Sequence, residues 1–418
     1  MVVAILISLV LMAPHLYSQT QKYPGAERPE FLVIVENPGQ VHSVAFSPDG
    51  KVLVSAGQAA GHQRVRSPEG IVRLWDLSSA TLQRVLTGHR HWVNSVAFSG
   101  DGKILASGSS DGTVSLWYAG SGALLRTIGG LQREIGGFER EIESIAFSPD
   151  GKALAGADGK GIRLWDIQTA ALRRVLSVAE HWPSKVAFSP NGSTLASGGE
   201  GSGQGEVVLW NARKAEPTKR LVVPEAAVNA VAFSLDGAHL ASASGDKIRL
   251  WRVETGELLQ TWTGDAGLAA SVAFSPDGGT LASGSGEVSY GGEVTLWDVR
   301  TGKMKRRLKG HKEPVHSVCF SPIGNLLASG DLNGAVKLWD SSTGRNLVTF
   351  QTVSWGKVAE TVTGWLAYTP EGYYHGSAGS QEVIRWGLGD KVLPANAYEN
   401  TFRRPDIVQK AVLAAGGR

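Results

Sequence analysis

A histidine with an acidic or amide residue close behind it in the chain invites a general acid–base reading. This sequence offers two such pairs, His89 with Asp111 and His311 with Asn333. His62, Arg64 and Arg66 crowd one glycine-bounded stretch, 57–70, and would suit a local anion site. Trp92 and Trp182 each follow a histidine, His91 and His181. Tryptophan buries a large area with few rotamers to freeze, which favours it as an interface anchor. The single cysteine, Cys319, stands where sister segments carry alanine, so it reads as a small buried apolar residue and not as a reactive thiol. The glycine-rich run 201–205 lacks the following helix that a phosphate site needs and reads as a flexible loop.

No catalytic constellation emerges from these groups. The sequence has no Gly-x-Ser-x-Gly elbow, no Walker-type phosphate loop and no His-Glu-x-x-His helix. No cysteine–histidine cluster has zinc spacing. The formal net charge is +3 over 418 residues, and lysine and arginine are scattered. That balance excludes the basic stripe of a nucleic-acid binder. No cofactor or metal is expected.

What places the candidate residues is a repeat. Strands centred on Phe46, Phe98, Phe147, Phe188, Phe233, Phe274, Phe320 and, in a weaker copy, Tyr368 each precede a strand ending in tryptophan. The tryptophans are Trp75, Trp117, Trp165, Trp210, Trp251, Trp297, Trp339 and Trp386, between 41 and 48 residues apart. Strand, turn and tryptophan at a period of about 40–45 residues mark the blades of a propeller. In the clearest unit, Val93, Val96 and Phe98 alternate with polar residues as a half-buried strand does. Ser99-Gly100-Asp101-Gly102 turns the chain, Leu105 to Gly108 forms a second strand, and Val114 to Trp117 a third. Leu124 to Ile128 is the outer fourth strand.

These units resemble WD40 repeats. The resemblance implies, in each well-formed blade, a hydrogen-bonded tetrad of histidine, serine, aspartate and tryptophan. His89, Ser107, Asp111 and Trp117 match it, as do His311, Ser329, Asn333 and Trp339 with asparagine for aspartate. The other units lack the Gly-His pair and should lose all or part of the network. On this reading the histidines are structural. The segment from Tyr368 to Asp406 is similar to the C-terminal end of bacterial WD40 proteins, a group often joined to a caspase-like protease.

The expected fold is therefore all-β, a propeller of four-stranded antiparallel blades. Eight blades are favoured, with Phe31 to Val35 supplying the last blade's missing outer strand. The alternative is a seven-bladed ring with the divergent last unit outside it. Residues 1–18 read as a signal peptide, 19–30 as a linker, 31–390 as the propeller, and 391–418 as a tail with a short helix beginning at Pro405. Longer connections (57–70, 129–141, 198–205, 284–292 and 351–363) all emerge on one face. A non-enzymatic scaffold binding protein through that face is the expected function. Trp92, Trp182, His62, Arg64 and Arg66 are its candidate contacts. The alternatives are a small-molecule site or enzyme at the channel mouth, with Glu206 and Glu287 as scattered candidates, or the regulatory part of a caspase-like system. The mature chain is expected to be an exported monomer without a membrane span; the other reading of the apolar N-terminus is a membrane anchor.

Overall fold

The computed structural model of the protein describes residues 29–33, 39–59, 69–129, 141–224, 226–264, 267–287, 291–355, 362–388 and 391–416. The expected signal peptide, most of the linker, and His62, Arg64 and Arg66 lie outside the described residues. Seven consecutive units form seven antiparallel blades, over 40–89, 93–129, 144–176, 181–223, 228–263, 268–311 and 315–355. Each runs from an innermost strand to an outermost one in chain order.

Each blade is built by the same local chemistry. Its second strand carries one leucine (Leu53, Leu105, Leu154, Leu195, Leu240, Leu281 or Leu327) with no accessible surface. Complete burial of such a side chain contributes about 1.5–3 kcal/mol. In the first turn Ser47 Oγ donates to Asp49 Oδ1 and accepts from Val52 N, while Gly50 takes φ +68°. The Ser-x-Asp bonds recur at Ser99, Ser148, Ser234 and Ser275.

At four junctions adjacent blades meet through close approach of a branched pair to a glycine, and at the other three alanine (Ala56, Ala157 or Ala243) stands in its place. A Cβ on Gly108 would come within 2.7 Å of Ile142 and 2.9 Å of Ile145. Val228 and Val231 stand equally close to Gly198, and Val315 and Val318 to Gly284. A second device is a serine stitch. Val96 N donates to Ser43 Oγ, Ile145 N to Ser95 Oγ, Val186 N to Ser144 Oγ and Val318 N to Ser271 Oγ.

The ring closes between the seventh and first blades by the same two devices. Val44 N donates to Ser317 Oγ at 3.0 Å. A Cβ on Gly330 would lie 2.3 Å from Val41 and 3.1 Å from Val44. The expectation of eight ring blades is thus corrected to seven. The eighth unit's first strand, Val362–Tyr368, pairs instead with the outermost strand of the seventh blade, Phe350 opposite Ala367. The physical reason is in its sequence: Trp365 occupies the slot of the stitching serine, and the valine pair is missing.

The N-terminal strand Glu30–Val33 does pair with the last unit, Phe31 opposite Trp386, but in a three-stranded satellite sheet outside the ring. Phe31, Tyr368, Tyr374, Trp386 and Phe402 form the satellite's core. The C-terminal helix Pro405–Gly416 returns to the seam between the first and seventh blades. Val408 and Val412 are buried there with Leu77, Ala80 and Leu347, and Gln409 Nε2 donates to Ser78 O. Among the described residues no helix is long and apolar enough to cross a membrane.

Candidate functional site

The His–Asp pairs turn inward, away from any site. In the second blade His89 Nε2 lies 2.8 Å from Ser107 Oγ, and His89 Nδ1 lies 3.0 Å from Asp111 Oδ2. Trp117 Nε1 donates to the same serine at 2.9 Å. All four side chains are buried. Burial opposes ionisation of Asp111, but bonds from His89 and Thr113 outweigh it and hold the carboxyl well below the usual range. The tetrad of this blade is as the sequence implied.

In the seventh blade His311, Ser329 and Trp339 also meet as expected, but the acid is Asp331. His311 Nδ1 lies 2.7 Å from Asp331 Oδ2, and Asp331 Oδ1 accepts from the backbones of Asn333 and Ala335. Asn333 is therefore removed from the tetrad. An aspartate two residues nearer the serine fills the same space and also caps the turn. Burial pushes His311 down, against the pull of Asp331.

The fourth blade holds a third network without a Gly-His pair. His181 Nε2 lies 2.9 Å from Ser197 Oγ, Trp210 Nε1 donates to that serine, and His181 Nδ1 sits 3.0 Å from Glu206 Oε2. Glu206, a candidate channel carboxylate in the sequence, is buried here and also held by Arg220 at 2.6 Å. Glu287 is exposed at the end of the sixth blade's second strand.

The face that carries the long connections is the one with candidate contacts. Run 201–205, expected to be flexible, is an ordered hairpin extension: Gly201 pairs Gln204 across Ser202 (φ +49°) and Gly203 (φ +80°). Two central residues with positive φ make a type I′ turn, whose twist matches the flanking strands. The sixth blade extends likewise, Glu287 pairing Gly291, with 288–290 outside the described residues. Trp182 pairs in register with Glu200 on the fourth-blade hairpin and is 48% exposed. Trp92, in the equivalent place, is half-buried instead: it stacks on His42 with ring centroids 5.7 Å apart and tilts against His91 at 5.3 Å. The two tryptophans are not alike.

The central channel opens beside them. At His42, Asn94, Ser184, Asn229, Ala270 and His316 the innermost strands slip register by one residue, a repeated bulge. Asn94 and Asn229 use it to donate to the next blade's backbone. His42 and His316 meet edge to face at 5.7 Å. The residue after the bulge is the stitching serine in the first, second, sixth and seventh blades, Ala230 in the fifth and Lys185 in the fourth. Its charge acts on Glu143 of the neighbouring blade and on His42 and His316 across the ring. Since the fourth blade touches neither the first nor the seventh, the ammonium lies in the channel. Burial lowers Lys185 against the pull of Glu143. Burial, His316 and Lys185 together press His42 down to about 4. Sequence reading missed this cluster, although aligning the units on their serine slot exposes Lys185.

Comparison with known proteins agrees with the blade count. The family described as WD domain, G-beta repeat matches residues 31–76, 80–118, 129–166, 173–211, 215–252, 256–298 and 302–340. The chain belongs to the WD40 repeat family. WD40 relatives include the small ribosomal subunit protein RACK1y of Oryza sativa subsp. japonica, 28% identical over 42% of this chain and 65% of that protein. Another is the target of rapamycin complex subunit wat1 of Schizosaccharomyces pombe, 26% identical over 51% of this chain and 65% of that one. The match thus spans just under two thirds of either relative. Among solved structures, the β-propeller domain of Myceliophteria thermophila Cps50 (Swd1) superposes with a TM-score of 0.61 at 23% identity. It covers 72% of this chain and 97% of that domain, a likeness of fold alone.

Proposed function

We propose that this WD40 propeller is a non-enzymatic scaffold that binds a protein partner through the face bearing the extended hairpins. The observation that carries the reading is Trp182, 48% exposed beside a rigid hairpin at the channel mouth. A half-exposed indole on a scaffold of paired strands has little ordering entropy left to lose on binding. Two relatives support an assembly role, one being named as a small ribosomal subunit protein and the other as a target of rapamycin complex subunit. The histidine–acid networks, the residues most suggestive of catalysis, are buried within blades and unavailable to a substrate.

Export by the apolar segment 2–13 and action as a monomer belong to the same proposal, as does the bacterial kinship suggested by the tail. Affinity capture with the tagged full chain and its Trp182→Ala variant tests the central reading. The expected result is one stoichiometric partner lost in the variant, whose melting stays as in the parent. A partner retained at the parent level by Trp182→Ala removes the tryptophan anchor from the reading.

A further inference from the structure

Lys185 is the one position in the innermost strands where a long cation replaces a stitching serine. Serine at this slot accepts a backbone N–H from the next blade at five junctions of the ring. Lysine has no acceptor to offer, so that bond is given up at the fourth blade. The residue gained is an ammonium within the channel.

Its surroundings hold polar atoms that lack partners. His42 Nε2 is buried without a hydrogen-bond partner, and so is Trp92 Nε1 in the ring stacked upon it. His316 stands against His42 at 5.7 Å. Glu143 is the carboxylate that acts on Lys185, and burial together with Glu141 raises its proton affinity, which makes it a weak counter-charge. Burial first, then the charges of His316 and Lys185, depress His42. A carboxylate brought into such a site gains charge-assisted hydrogen bonds from the ammonium and an imidazole.

We infer that the channel mouth receives one carboxylate side chain of a bound protein partner, seated between Lys185 and the His42–His316 pair. The inference rests on the scaffold reading and adds the partner's chemistry: an acidic residue in a segment that also covers Trp182. The two contacts belong to one strand, His181–Phe188, with Trp182 at its exposed end and Lys185 three positions further in. An extended acidic segment crossing the rim reaches both.

The test titrates the full chain with acetyl-tetraglutamate amide, following tryptophan fluorescence and heat of binding. Tetraglutamine amide and free glutarate serve as comparison probes. The expected result is saturable binding of the glutamate peptide, with glutarate and the glutamine peptide at least about tenfold weaker. Lys185→Gln should weaken the glutamate peptide by about tenfold or more, while Lys185→Arg stays within about threefold. If Lys185→Gln does not fold, His316→Asn takes its place with the same expectation. No peptide binding, or binding unchanged in the folded variant, overturns the inference. Glutarate binding as tightly as the peptide also overturns it, by assigning the site to a free small acid. Capture of the partner separates the two readings. A partner lost with Trp182→Ala but kept with Lys185→Gln overturns the carboxylate site and leaves the scaffold intact.

Discussion

At the level of single residues, the acid of the seventh blade decides a clear comparison. Asp331 is buried, accepts from His311 and holds two backbone N–H groups, whereas Asn333 contributes only its backbone. Asp331→Ala should cost about 2–4 kcal/mol, because it orphans a buried imidazole and two amides together. Asn333→Ala should stay within about 0.5 kcal/mol. Denaturant melts of the two variants check the difference, and equal losses would restore Asn333 to the network. The same buried imidazoles set the response to acid. His42, His181, His311 and His316 all have their proton affinity lowered in the fold, chiefly by burial. An unfolded histidine titrates near pH 6.5, so below that pH the unfolded chain takes up protons that the folded chain refuses. Stability is therefore full above about pH 6.5 and falls as the pH drops toward 4, where His42 titrates. Melting temperature measured from pH 8 to 4.5 should decline from about pH 6.5 downward, and His42→Asn should flatten that decline. A profile flat down to pH 4.5 would contradict the burial of these rings. The sequence showed His89, Ser107, Asp111 and Trp117 because their spacing follows a regular unit. It hid Asp331 and the His181–Glu206 pair because different backbone positions can deliver a carboxylate to one point in space.

At the level of elements, the closure of the ring was the least legible feature, and the reason is physical. Eight tryptophan-ended units count alike along the chain, but a blade joins the ring only through its innermost strand. In five of the seven blades that strand carries a branched pair facing the preceding blade, and in five it carries a serine that reaches to the next. Val41 and Val44 face Gly330, Val44 N donates to Ser317 and Ser43 reaches on to Val96, while Val362 to Tyr368 puts Trp365 in the serine slot. Ser317→Ala should therefore lower stability by about 1 kcal/mol through the seam alone. Val412→Asp should lower it further, since the helix covers Leu77, Ala80 and Leu347 at that seam and a buried unpaired charge is costly there. Deleting 30–33 acts elsewhere. It removes Phe31 from the aromatic core of the satellite, so a separate low-temperature transition should appear while the main transition persists. Calorimetry resolves the two outcomes: loss of the main transition would mean that the N-terminal strand closes the ring after all.

At the level of the whole molecule, the two faces are made by different loops of one meander, so they can diverge independently. The Ser-x-Asp-Gly turns are tied by their own side chains and leave little freedom for change. Extended hairpins, Trp182 and the channel mouth with Lys185 all fall on the other face. An insertion there lengthens two strands without disturbing the Leu195 or Leu281 core, which is why the scaffold tolerates it. The hairpin and the indole should then act together: replacing Ser202-Gly203 by a longer glycine–serine loop frees Trp182's neighbours without touching its side chain. Because preorganisation reduces the ordering cost of binding, that change should weaken partner capture, mostly by faster dissociation, while the melting temperature moves by only a few degrees. Surface plasmon resonance with the captured partner measures it directly. Unchanged dissociation would show that the indole works without its hairpin, and would shift the determinant of binding inward, to the charged channel mouth.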